Sequence, residues 1–123
     1  MFRILVADDE KAERELLSNY LKEAFGATID LRVVENGRQA VTMATITESD
    51  ILLLDIEMPG LSGLEAAKQI IAQREDVKII FITAFPLFSY AQEALKLGAL
   101  DYILKPVNRD NLIATVKRTM ELI

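Results

Sequence analysis

The sequence predicts an α/β fold, doubly wound around a five-stranded parallel sheet, and three observations predict it. The short runs Ile4-Leu5-Val6-Ala7, Ile51-Leu52-Leu53-Leu54 and Ile79-Ile80-Phe81-Ile82 are apolar without alternation, as suits strands buried on both faces. Segments with apolar residues at helical spacing separate them. The two kinds of segment alternate along the whole chain, which is the pattern of strand–helix crossover units.

The first strand ends at Asp8-Asp9. From Lys11 to Phe25 a helix follows, with Ala12, Leu16, Leu17, Tyr20, Leu21, Ala24 and Phe25 in one stripe and Gly26 placed to cap it. The second strand, Leu31-Arg32-Val33-Val34, admits a charge and suits a sheet edge. A second helix starts near Asn36-Gly37 and carries Ala40, Val41 and Ala44. The third strand runs into Asp55, and Ser62-Gly63-Leu64-Glu65 reads as a capping box opening a third helix through Ala67, Ile70 and Ile71. The fourth strand ends at Thr83, and Tyr90, Ala91, Ala94 and Leu95 mark a fourth helix stopped by Gly98. The fifth strand, Asp101-Tyr102-Ile103-Leu104, is again edge-like and leads to Lys105. Leu112, Val116 and Met120, four apart, mark a fifth helix expected to reach the terminus. Strands one, three and four are therefore central, and right-handed crossovers favour the flavodoxin-like order 2-1-3-4-5. No repeat or linker interrupts the pattern, so one domain is expected over residues 1–123.

Composition narrows the chemistry. Hydrophobic residues make up 51% and charged residues 27%, a globular balance, and a net charge of −5 argues against direct nucleic-acid or anionic-membrane binding. Cys and His are both absent, which excludes disulfides, thiol nucleophiles, imidazole bases and zinc sites built on either residue. The stretch Phe2 to Ala7 is too short for a signal peptide and no run approaches membrane-spanning length, so the cytoplasm is the expected setting.

In doubly wound folds, ligands bind outside the carboxyl ends of the strands. Those ends carry Asp8, Asp9, Asp55, Thr83 and Lys105, with Glu35 and Asn36 off centre. Taken singly, each has a plain structural role as helix cap, turn former, strand residue or surface amine. Gathered on one edge, they form a site. Converging carboxylates repel, and Mg²⁺, which prefers oxygen ligands, resolves the conflict. Such a site can stabilise a phosphoryl group in flight, with Asp55 as the carboxylate nucleophile forming an acyl phosphate. Any phosphohistidine donor must then belong to another protein, since this chain has no His.

Val6-Ala7-Asp8-Asp9-Glu10, Leu54-Asp55-Ile56-Glu57-Met58-Pro59-Gly60, Thr83-Ala84 and Asp101-Tyr102-Ile103-Leu104-Lys105-Pro106 resemble the receiver (CheY-like) domain of two-component response regulators, in order and over the whole chain. The resemblance implies that Asp55 is the phosphoacceptor and that Asp9 and Asp55 ligate Mg²⁺ through side chains. It implies Glu57 as a ligand through its backbone carbonyl and Asp8 largely through water. Lys105 would contact the phosphoryl group, Thr83 and Tyr102 would be the switch pair, and the Lys105-Pro106 bond would be cis. The implied partners are a sensor histidine kinase, small phosphodonors, a C-terminal output domain outside this chain, and a homodimer formed on phosphorylation. The implied catalysis is confined to the domain's own phosphorylation and dephosphorylation. Phe85-Pro86-Leu87-Phe88-Ser89-Tyr90-Ala91 with Ala99-Leu100-Asp101-Tyr102 looks most like receivers fused to AraC-type DNA-binding domains, the LytTR-linked group coming next. Leu100 departs from the acid usual there in OmpR-like receivers, which weighs against their dimer mode.

Three readings compete. A small aspartate-nucleophile phosphatase of the haloacid-dehalogenase type would match Asp55-Ile56-Glu57, but places its nucleophile on its first strand and needs more chain. A flavin or nucleotide module shares the fold, yet Asp8-Asp9-Glu10 repels phosphate unless a metal intervenes. A pseudo-receiver that binds partners without phosphorylation fits poorly with an intact Asp, Thr and Lys set.

Overall fold

The computed structural model describes residues 1–123. In chain order the elements are β1 (Phe2–Ala7), α1 (Lys11–Phe25), β2 (Ile29–Val34), α2 (Gly37–Ile46), β3 (Ile51–Asp55), α3 (Gly63–Gln73), β4 (Lys78–Thr83), α4 (Phe88–Lys96), β5 (Asp101–Leu104) and α5 (Arg109–Met120). A 3-10 turn, Gly26–Thr28, joins α1 to β2. All strands are parallel in the order β2-β1-β3-β4-β5, the flavodoxin-like arrangement expected from the strand compositions.

Period-two alternation in the central strands divides the core into two layers. Leu5, Ala7, Leu52, Leu54, Ile79 and Phe81 face α2, α3 and α4, where Ala40, Ala44, Leu64, Ala67, Ile70 and Ala94 meet them. Ile4, Val6, Ile51, Leu53, Ile80 and Ile82 face the other way, against Leu17 and Leu21 of α1 and Leu112 and Val116 of α5. Burying a side chain of this size stabilises the fold by about 1.5–3 kcal/mol. The central strands therefore hold the carboxyl edge rigidly.

Helix starts follow local chemistry. Asn36 and Asn108 accept N–H bonds from Gln39 and Asn111, and Ser62 with Glu65 forms the full capping box. At the other end of α1, Gly26 has φ +52°, a conformation that favours glycine, and its N–H returns to the Lys22 carbonyl. Helix α4 differs from the rest: Ala94 is its only buried residue, while Phe88 and Leu95 are exposed.

Four boundaries depart from the sequence expectation. Strands β1, β2 and β4 begin earlier than the runs read from the sequence, at Phe2, Ile29 and Lys78, because ladder pairing continues through Arg3, Asp30 and Lys78, polar residues that interrupt or precede the apolar pattern. Helix α5 stops at Met120 instead of reaching the terminus, and Leu122 and Ile123 lie exposed with no core contact to extend it.

One contact ties the fold to the carboxyl edge. Gly63, at the start of α3, donates its N–H to the Ile56 carbonyl at 2.9 Å. A Cβ on Gly63 would lie 2.2 Å from the Asp55 backbone oxygen. Gly63→Ala should therefore push α3 off the end of β3 and lower stability by about 1–3 kcal/mol. Urea denaturation is the check, and a parental midpoint would mean the backbone has room.

Candidate functional site at the carboxyl edge

Asp8 follows β1 and is 1% exposed. Its Oδ1 accepts the Glu10 N–H at 2.9 Å, its backbone oxygen accepts from Arg14 Nη1 at 2.9 Å, and its N–H bonds the Val34 carbonyl of β2. Asp9 is exposed at the mouth of the site. Asp55 ends β3, is 3% exposed, and accepts a long bond from the Glu57 N–H at 3.4 Å. Ligand oxygens of Asp8, Asp9 and Asp55 all lie within 4.8 Å of one another. Each strand end supplies its residue because the strands are in level register, with Ala7 beside Leu54 and Asp55 beside Ile82.

Lys105 enters from the opposite edge of the pocket. Its N–H bonds the Thr83 carbonyl at 2.8 Å and the Lys105-Pro106 peptide is cis. Its Nζ lies 2.9 Å from Asp8 Oδ2, 3.2 Å from Glu10 Oε1 and 3.6 Å from Asp55 Oδ2, with the side chain 8% exposed. Asp8 Oδ2 has no well-aligned hydrogen bond, so this ammonium is what compensates its charge. Thr83 is fully buried one residue beyond the strand partner of Asp55, and its Oγ1 accepts the Phe85 N–H at 3.1 Å. Tyr102 of β5 is partly buried, and its hydroxyl donates to the Phe85 carbonyl at 3.2 Å. The Phe85 residue thus bonds Thr83 through its N–H and Tyr102 through its carbonyl.

The charges shift one another's titration. Burial pushes the Asp55 carboxyl up to about 7; the Asp8 charge adds to this, and Lys105 opposes it. Burial works against the Lys105 ammonium, but its bonds to Asp8 and Glu10 and the charges of Asp55 and Asp8 outweigh it and hold the pKa above the ordinary lysine range. Burial also raises the Tyr102 hydroxyl.

Every residue expected at the carboxyl edge is there, and the structure adds two. Glu10 touches Lys105 directly. Glu13, one turn further along α1, has a buried and unpartnered Oε2, and burial raises its carboxyl against the opposing pull of Lys105. The signal for Glu13 was its i, i+3 spacing from Glu10, which puts both on one helix face.

The Response regulator receiver domain family matches residues 4–117. The chemotaxis protein CheY of Listeria monocytogenes is 34% identical over 96% of this chain and 98% of its own length. The uncharacterized transcriptional regulatory protein YesN of Bacillus subtilis is 33% identical over 95% of this chain but only 32% of its own length. The chain thus spans about a third of that relative, and 25% of the regulatory protein AtoC of Escherichia coli. Among solved structures, the response regulator TrrA of Thermotoga maritima, in complex with Mg²⁺ and BeF, superposes with a TM-score of 0.85 at 39% identity, covering 97% of this chain and 99% of that one.

The raised Asp55 carboxyl sets a pH dependence. Its folded pKa of about 7 lies above the ordinary 3.8, so the stability tied to its neutral form is full below about pH 4 and is lost as pH rises through 7. Metal-free Asp55→Asn should melt higher than the parent at pH 8, by on the order of 5 °C, and the gap should close near pH 4. Equal melting at both pH values would remove the charge conflict from Asp55.

Proposed function

We propose a function from the premise that the chain belongs to the response regulator receiver domain family: it accepts a phosphoryl group on Asp55 from a sensor histidine kinase or a small phosphodonor. The single observation that carries this is the buried Asp55 at the end of a central strand, with Lys105 Nζ 3.6 Å away and two further acids around it. The Asp55 carboxylate attacks phosphorus, an oxygen–phosphorus bond forms, and the bond to the donor's leaving group breaks with its electron pair. The carboxylate's −1 becomes about −2, and Lys105 meets part of the added charge. The oxygen donors of Asp8, Asp9 and Asp55 fit a hard cation, and with the Glu57 backbone carbonyl they are the groups that would hold it. Bound Mg²⁺ supplies charge neutralisation for the phosphoryl oxygens. Turnover is confined to the domain's own acyl phosphate, so the chain is a signalling element and not an enzyme acting on free substrates. We place it in the cytoplasm with its kinase's catalytic parts; no helix is long and apolar enough to cross a membrane.

With acetyl phosphate and Mg²⁺, intact-mass spectrometry should show one added phosphoryl group. Asp55→Asn should abolish it, and Asp9→Ala should raise the Mg²⁺ concentration needed. Undiminished labelling of Asp55→Asn would overturn the assignment.

The same reading assigns the switch to Thr83 and Tyr102. When the Thr83 hydroxyl donates to a phosphoryl oxygen it turns away from the Phe85 N–H, and the Phe85 residue, whose carbonyl receives the Tyr102 hydroxyl, is freed to shift. A ligand moves such an equilibrium only by its differential contact with the two states, and one charge-assisted bond of roughly 1.5–3 kcal/mol moves it about ten- to hundredfold. Beside Tyr102, a shallow groove of about 220 Å³ lined by Ala91, Ala94, Leu95, Ala99 and Leu100 lies open between α4 and β5. This face, with α5, is where we place the readout: a DNA-binding output domain of the AraC type, or a second copy on phosphorylation. Thr83→Ala should still accept phosphate but lose most of the NMR shift change at Tyr102 and in α4. The full parental change in that variant would break the link.

A further inference from the structure

The Lys105 ammonium has three N–H donors, and three carboxylates surround it: Asp8 at 2.9 Å, Glu10 at 3.2 Å and Asp55 at 3.6 Å. The ammonium sits closer to Asp8 and Glu10 than to Asp55, so bonding a group carried on Asp55 requires it to move away from one of the other two. Asp8 and Asp55 are buried, and leaving either carboxylate without its cation strands a charge in the protein interior. The Glu10 side chain is 62% exposed, so water can take over its charge at little cost. Its backbone is nevertheless fixed, because the Glu10 N–H is held by Asp8 Oδ1 at 2.9 Å. The carboxylate therefore stays within reach of the ammonium whether or not it is bound.

From this geometry we infer that Glu10 is a positioning residue that competes with the phosphorylation site for Lys105. It holds the ammonium toward α1 in the unphosphorylated domain and releases it as the phosphoryl group arrives on Asp55. The inference rests on the reading of Asp55 as phosphoacceptor and of Lys105 as the phosphoryl contact. By retaining Lys105, Glu10 slows phosphoryl gain; it acts through the lysine and touches no reacting atom.

The test is the initial rate of Asp55 labelling by acetyl phosphate with Mg²⁺, followed by intact mass. Glu10→Gln keeps the shape and removes the charge, and should label about two- to fivefold faster, the range for an exposed ion pair. In the Lys105→Met background the same substitution should change nothing. Glu15→Gln, which alters net charge equally from an exposed position paired with Lys11, should leave the rate at the parental value. Where Lys105→Met labels too slowly to time, beryllofluoride binding with Mg²⁺, read by fluorine NMR, gives the same comparison. A parental rate for Glu10→Gln overturns the inference while leaving the phosphoacceptor reading intact. Equal acceleration with and without Lys105 also overturns it, since Glu10 would then act only as a repulsive charge at the mouth. A parent chain that takes no label on Asp55 overturns both.

Discussion

Three carboxylates whose ligand oxygens lie within 4.8 Å, two of them buried, set the constraint on which the rest of this molecule depends. Like charges at that distance in a poorly solvated site repel strongly, and one ammonium cannot fully offset them. The backbone around the site is arranged to bear the load. Asp8 is bonded through its N–H, its carbonyl and one carboxylate oxygen, and Lys105 is fixed by its own N–H to Thr83. The rigid sheet edge keeps the acids together although they gain nothing from each other. That stored conflict favours a ligand that brings positive charge.

Thr83 and Tyr102 are joined through backbone and not through a side-chain contact with each other. One residue, Phe85, bonds the Thr83 hydroxyl through its N–H and the Tyr102 hydroxyl through its carbonyl. Both hydroxyls therefore meet on one residue, one at its N–H and the other at its carbonyl. The Phe85 side chain itself is exposed and takes no part in these bonds.

The sequence made the fold legible because its central strands lack polar alternation and its edges admit charges, and strand order follows from that contrast. The acids of the site were legible because strand ends collect ligands in this class of fold, so position carried the meaning that Asp8 or Asp55 alone could not. Glu10 and Glu13 were not assigned to it, since acids in the first turns of a helix read as a solvated face with a favourable dipole contact. The bond from Tyr102 to the Phe85 carbonyl was illegible for another reason: a backbone acceptor has no side-chain signature. Strand starts and the end of α5 were misplaced because ladder pairing and missing core contacts, not local pattern, decide them.

Helix α4 is anchored by Ala94 as its one fully buried side chain, with Tyr90 and Leu97 packing from the margin. Resistance to local opening scales with such anchorage, so this segment lies well below the sheet on the molecule's ladder of opening free energies. Its amides will exchange with solvent long before those of β1, β3 and β4. A helix so loosely moored can be re-seated by a free energy too small to disturb the core.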